Sequence, residues 1–124
     1  NWCISEKQFH LIGNTIMWID PGIDTGNILT TEFTPLNGNE SLFDLHVKVM
    51  DHADSLYLKA INYINNGSHK SVPQSSISKG KTYYTKEWTL KQKIKLFVNH
   101  KKMNSYFNSG KISEDRKNIH VIEI

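Results

Sequence analysis

Residues 13–29, GNTIMWIDPGIDTGNIL, set two carboxylates, Asp20 and Asp24, into a short glycine-bearing connection between two apolar or β-branched runs. Carboxylates so placed have three uses. As turn residues they accept hydrogen bonds from nearby backbone N–H groups. Brought within a few ångströms of another acid, one of them shares a proton, because like charges that close cannot both ionise. Set beside an imidazole, a carboxylate raises the histidine pKa, and within reach of a reacting nitrogen it takes or relays a proton.

The flanking elements follow from residue pattern. Asn14–Asp20 is rich in β-branched and apolar residues and reads as a largely buried strand. Asn27–Thr34 reads as a second strand, closed by Pro35, which cannot donate to a ladder. Pro21 presets its own φ, and Gly22 permits a positive one. Asn37-Gly38 marks a turn. Ser41-Leu42-Phe43-Asp44 has capping-box spacing, with Asp for the usual Glu. After it Leu42, Leu45, Val49, Ala53, Leu56, Ala60 and Ile64 recur at helical steps, and Met50, Tyr57 and Ile61 widen the stripe. Gly67 supplies the left-handed residue that ends such a helix. Residues 68–80 read as loop and Lys81–Tyr84 as a short strand. Thr89 opens a second capping box and a helix with Leu90, Ile94, Phe97 and Val98 inward. Residues 1–8 read as the end of a helix and NIHVIEI as a last strand, so the layers are mixed α/β.

Length and charge narrow the classes. The 124 residues suffice for one domain. The single cysteine, Cys3, allows no internal disulfide and reads as a reducing, cytoplasmic setting. No apolar run nears the roughly 20 residues that span a bilayer, so no membrane partner is expected. The start at Asn1 is read as a sign of missing upstream sequence. Residues 1–78 carry four lysines against eight Asp and Glu; residues 79–124 carry eleven Lys and Arg against four acids. A basic tail can hold an anion, which gives the alternative of a non-enzymatic anion- or RNA-binding module; it also fits a solvated helix face. Trp18 and Trp88 can stack on a ligand, or pack. Tyr83 and Tyr84, beside Lys81 and Lys86, can touch a phosphate, or line a solvent edge. No His or Cys cluster has metal-ligand spacing, so no metal is expected.

Two longer comparisons bear on the bend. Asp24-Thr25-Gly26 matches the aspartic protease triplet, but there an unbroken apolar strand leads into it, and here Pro21-Gly22 interrupts. The whole stretch resembles the folate-dependent formyltransferase family, which includes methionyl-tRNA formyltransferases, glycinamide ribonucleotide transformylases and sugar-amine N-formyltransferases. Gly13, Thr15, Ile16, Ile19, Asp20, Gly22, Ile23, Asp24, Thr25, Gly26, Ile28 and Leu29 carry the likeness. Trp2-Cys3-Ile4, the helix opened by Ser41, Val72-Pro73-Gln74 and Tyr83 extend it over about residues 1–88.

The resemblance implies a Rossmann-like, three-layer α/β fold with a mixed sheet, of which this chain holds the C-terminal part of the catalytic domain. Residues 1–88 would be that part and residues 89–124 a helix-strand extension. It implies transfer of a formyl group from 10-formyltetrahydrofolate to a primary amine, with Asp24 as proton relay and partner of a histidine. Asp20, Pro21, Gly22, Ile23, Asp24 and Thr25 would border the pterin. The family's catalytic Asn and His have no counterpart here, so the chain is expected to be incomplete as an enzyme. His10, His46, His52, His69, His100 and His120 lack that context and are expected at the surface or at edges. Because only a short segment follows Trp88, a sugar amine or other small acceptor is expected rather than methionyl-tRNA, nucleic acid is the lesser expectation, and a homodimer is a possible state.

Overall fold

The computed structural model describes residues 1–22, 24–67, 69–77 and 81–124. In chain order they form helix α1 (Trp2–Ser5), strands β1 (Gly13–Met17) and β2 (Ile28–Phe33), and helices α2 (Leu42–Asn65), α3 (Leu90–His100), α4 (Met103–Asn108) and α5 (Lys111–Lys117). Single 3-10 turns occupy Phe9–Leu11, Gln74–Ser76 and Thr85–Glu87. Two compact units result, one of residues 1–12, 35–45 and 81–119, the other of residues 13–34, 46–80 and 120–124.

The expected three-layer fold narrows to a mixed α/β arrangement, because among the described residues the sheet is one antiparallel pair, β1–β2. Gly13 faces Phe33 and Ile16 faces Thr30, and a bulge then lets Met17 face Ile28. The outer edge of β2 is met without regular strands. Ile28 and Val72 exchange backbone bonds of 2.7 and 2.9 Å, and Thr31 donates to the Ile122 carbonyl at 3.1 Å. Ile122 in turn donates to Thr31 Oγ1 at 2.8 Å. The terminal segment expected as a strand thus touches β2 but does not form a ladder with it.

In the first unit aromatic contacts and polar anchors decide what is buried. Trp2 stacks on Tyr83 with ring centroids 4.6 Å apart and meets Trp88 edge-on at 4.9 Å. Lys81–Tyr84, expected as a strand, is instead an irregular segment held by that stack. Asn99 donates to the Ser5 carbonyl at 2.6 Å, and Lys95 pairs with Glu6 at 3.1 Å. These bonds turn Leu96 and Asn99 of α3 inward. Leu90, Ile94, Phe97 and Val98, expected to be inward, are 50–73% exposed. The hydrophobic period locates a stripe, but the polar contacts to α1 choose the buried side.

Helix α2 follows its pattern more closely. Ser41 Oγ accepts from the Asp44 N–H at 3.0 Å, and Asp44 Oδ2 accepts from the Ser41 N–H at 3.1 Å, a reciprocal capping box. Leu45, Leu56 and Ala60 are buried, whereas Met50 and Tyr57 are exposed, so the inward stripe is narrower than expected. Gly67, with φ +80°, closes the helix. At α3 the expected second box is absent: Thr89 makes no side-chain cap bond. Ser41→Ala should therefore cost about 1 kcal/mol, read as a lowered urea midpoint, and Thr89→Ala should leave the midpoint near its original value. Equal shifts for the two would contradict this difference between the caps.

Candidate active-site bend

The bend begins where β1 ends. Trp18 donates its N–H to the Asn27 carbonyl at 2.9 Å, which closes the neck of a loop of residues 19–26. Inside it Asp20 Oδ1 accepts from the Gly22 N–H at 3.0 Å and from Thr25 Oγ1 at 2.6 Å. This Asx-type turn fulfils the first use of a carboxylate. Both glycines are required by close approach. A Cβ at Gly26 would lie 2.6 Å from the Trp18 carbonyl carbon and closer still to its oxygen. A Cβ at Gly22 would press on Thr25, 3.1 Å from its Cβ. Gly22 does not use the positive φ that it permits; among the described residues of the bend the left-handed one is Asp24, at φ +53°. An aspartate tolerates that region because its short polar side chain suits it.

A cleft of about 240 Å³ opens against the bend. Met17, Trp18, Asp20, Asp24, Thr25 and Gly26 are among its walls. Of the residues expected to border a ligand, Asp20, Gly22, Asp24 and Thr25 are therefore brought together. Pro21 is exposed and is not among these walls, and Ile23 lies outside the described residues. The Asp24 carboxylate is exposed, and no side-chain hydrogen bond to it occurs among the described residues. Trp18, 43% exposed, lines the cleft and stands tilted to His69 with centroids 5.8 Å apart. Trp88 packs in the first unit.

Gln74 joins this group, and the sequence marked it only as part of a Pro-Gln pair. Its Nε2 lies 2.5 Å from the Asp24 carbonyl oxygen, 3.0 Å from that of Gly26 and 3.7 Å from Met17 Sδ. Residues fifty positions apart meet here, so no local signal in the sequence shows the contact.

A second polar cluster centres on His52, whose side chain is 11% exposed. It is not the surface or edge residue expected. Asn14 Nδ2 donates to the Val49 carbonyl at 3.0 Å and lies 2.9 Å from His52 Nδ1. An amide nitrogen only donates, so Nδ1 accepts and Nε2 carries the proton toward Glu32 Oε1, 3.0 Å away. Thr34 Oγ1 also stands 3.0 Å from Nδ1. Lys59 approaches the other Glu32 oxygen at 3.2 Å. The His52 hydrogen bond, and next to it Lys59, hold the Glu32 carboxyl below its ordinary value of 4.5. Burial pushes the Cys3 thiol up, which favours its protonated, unreactive form. Among the described residues no group of His, Cys, Asp and Glu could hold a metal ion, and no helix is long and apolar enough to cross a membrane.

The basic tail is partly committed to its own unit. Lys95 pairs with Glu6 and Lys111 with Asp115 at 3.2 Å, and Arg116 donates to the carbonyls of His10 and Ile12. Lys81 lies over Tyr83 and Lys86 over Tyr84, at 4.8 and 5.7 Å from the ring centres.

No family model matches the chain, and no solved structure does. Curated proteins do. A methionyl-tRNA formyltransferase of Clostridium botulinum (strain Alaska E43 / Type E3) is 36% identical over 88 residues, covering 69% of this chain and 26% of that protein. One of Pelobacter propionicus is 31% identical over 75 residues, covering 60% and 23%. One of Prochlorococcus marinus subsp. pastoris is 25% identical over 134 aligned positions, covering 99% and 40%. By sequence the chain is thus similar to formyltransferases over most of its length, and it spans about a quarter of the length of the first two of these relatives. The expected small-amine acceptor, with nucleic acid as the lesser expectation, is corrected by these relatives: each is named for methionyl-tRNA. The inference from a short tail rested on length, which carries no information about an acceptor.

Two outcomes follow from this geometry. Gly26→Ala should displace the Trp18 carbonyl and loosen the bend, read as faster amide exchange over residues 18–27; exchange like that of the parent would contradict the close approach. For Glu32 the folded pKa lies below the unfolded one, so its contribution to stability is present above pH 4.5 and is lost as pH falls through the folded value. Glu32→Gln should flatten that acid limb of the melting temperature against pH, and an unchanged limb would remove Glu32 from the account.

Proposed function

We propose that this chain supplies the acidic bend of a formyl-transfer site, with 10-formyltetrahydrofolate as donor and methionyl-tRNA as acceptor. The carrying observation is the placement of Asp24, left-handed and exposed, at a cleft built from the stretch that resembles the formyltransferases. The relatives named for formyl transfer to methionyl-tRNA support the same reading.

The cleft suits a small planar headgroup. Its volume of about 240 Å³ is below the range for a whole drug-sized ligand, and it fits a bicycle such as a pterin. An irregular turn presents backbone N–H and C=O groups, the kind of polar group that orients a ligand in a mostly apolar pocket. Residues 20–25 are the proposed border of that ring.

Attack of an amine on a formyl carbon leaves negative charge on oxygen and a surplus proton on nitrogen. The oxygen needs positioned donors. The nitrogen needs a base within hydrogen-bond reach, directly or through one water. In this reading Asp24 serves the nitrogen and orients a histidine that the resemblance implies and these 124 residues do not match. Asp20, with Oδ1 already accepting two hydrogen bonds, shapes the bend.

The test is formyl transfer from 10-formyltetrahydrofolate to methionyl-tRNA by the protein carrying this chain. Asp24→Asn should lower kcat by about 10²–10⁴-fold, the usual contribution of a positioned proton acceptor, with the melting temperature nearly unchanged. Turnover like that of the parent would remove the role from Asp24, and absence of transfer by the parent would overturn the reading as a whole.

A further inference from the structure

We propose that Gln74 is the positioning residue of the acidic bend: its single amide nitrogen binds the carbonyls on both sides of Thr25 and so sets where Asp24 presents its carboxylate. The catalytic part of this proposal rests on the formyl-transfer reading; the clamp itself rests on geometry alone.

The amide orientation is dictated by its partners. The Asp24 and Gly26 oxygens, 2.5 and 3.0 Å from Nε2, are both acceptors, so only the –NH₂ end of Gln74 can satisfy them. One nitrogen carries two N–H bonds, which is what two carbonyls one residue apart require. Glutamate would place acceptors against acceptors. Asparagine is shorter by one methylene and falls short of both carbonyls from the same backbone position. Leucine keeps similar bulk and lacks the donors.

The base of the clamp is itself held. Val72 exchanges two backbone bonds with Ile28, at the start of β2. Pro73, at φ −62°, adds a residue with little freedom. Ser76 Oγ donates to the Pro73 carbonyl at 2.7 Å, and the Ser76 and Ile77 N–H groups close the turn that carries Gln74. The amide therefore reaches the bend from a short, pinned arm. The bend needs such support. Asp20 ties its first part to Gly22 and Thr25, but that carboxylate makes no bond to the backbone of Asp24 or Gly26. Asp24 also sits in a sparsely populated backbone region, which surrounding contacts must maintain.

The experiment compares Gln74→Leu, Gln74→Glu and Asp24→Asn with the parent protein. The readouts are amide exchange over residues 18–27 and over α2, and formyl transfer from 10-formyltetrahydrofolate to methionyl-tRNA. Gln74→Leu should speed exchange in the bend about tenfold, the loss of one to two hydrogen bonds, with α2 unchanged. It should lower kcat by about 10–100-fold, as a small misplacement of a reacting group does, with the donor KM within threefold. Asp24→Asn should lower kcat and leave exchange in the bend as it was. Gln74→Glu should free the bend at neutral pH. After correction for intrinsic exchange, it should tighten again as the new carboxyl is protonated and regains one donor, a response that a packing role would not produce.

Bend exchange or kcat like that of the parent in Gln74→Leu overturns the proposal. Should Gln74→Leu loosen α2 as well, the pH response of Gln74→Glu decides, and its absence overturns the clamp. Should the parent transfer no formyl group while Gln74→Leu still frees the bend, the catalytic reading falls and the clamp stands.

Discussion

A methyl group has no room at Gly26, and the candidate site follows from that exclusion. Because residue 26 lacks a Cβ, the chain leaving β1 at Trp18 and the chain entering β2 run against each other, and the Trp18 N–H reaches the Asn27 carbonyl. The intervening residues must then turn within a few positions. Asp20 satisfies the Gly22 N–H from inside, and Thr25 is drawn onto the same oxygen. Among the described residues of the turn, Asp24 takes a positive φ and is exposed beside a cleft.

Sequence pattern made the local part of this legible. A bend rich in Asp, Pro and Gly between two β-branched runs, a reciprocal Ser41–Asp44 cap and a glycine terminator at Gly67 all depend on neighbours within a few residues, and all are present. The features that escaped depend on distant partners. Thr89 has the same spacing as Ser41 but makes no cap bond. The buried side of α3 is chosen by Asn99 and Lys95 reaching Ser5 and Glu6, ninety positions away. His52 looked like a surface residue because nothing near it in sequence names Asn14, Thr34 or Glu32 as its partners. Gln74 carried a family likeness and no role, since its contacts exist only once Val72 has joined Ile28.

Charge taught a related lesson. The excess of cations after residue 78 is real, but several of the side chains that carry it are engaged within the protein: Lys95 and Lys111 in ion pairs, Arg116 on backbone carbonyls, Lys81 and Lys86 over tyrosine rings. Summed charge therefore could not separate a packing element from a grip on an anion. The relatives named for methionyl-tRNA correct the acceptor where composition had no power to do so.

The two aspartates of the bend show how one residue type divides into two parts by geometry. Asp20 stands where a backbone N–H and a hydroxyl both converge on one of its oxygens, so moving its side chain would break the turn that it holds. Asp24 stands where the backbone has already been turned outward, and its main-chain carbonyl, not its side chain, takes the hydrogen bond from Gln74. Its backbone is thereby held, and its exposed side chain takes no part in that bond. Anchoring through the main chain leaves the Asp24 carboxylate without a side-chain hydrogen bond among the described residues, whereas one oxygen of Asp20 already accepts two. That difference in geometry is the physical reason for the proposal that Asp24, and not Asp20, does chemistry.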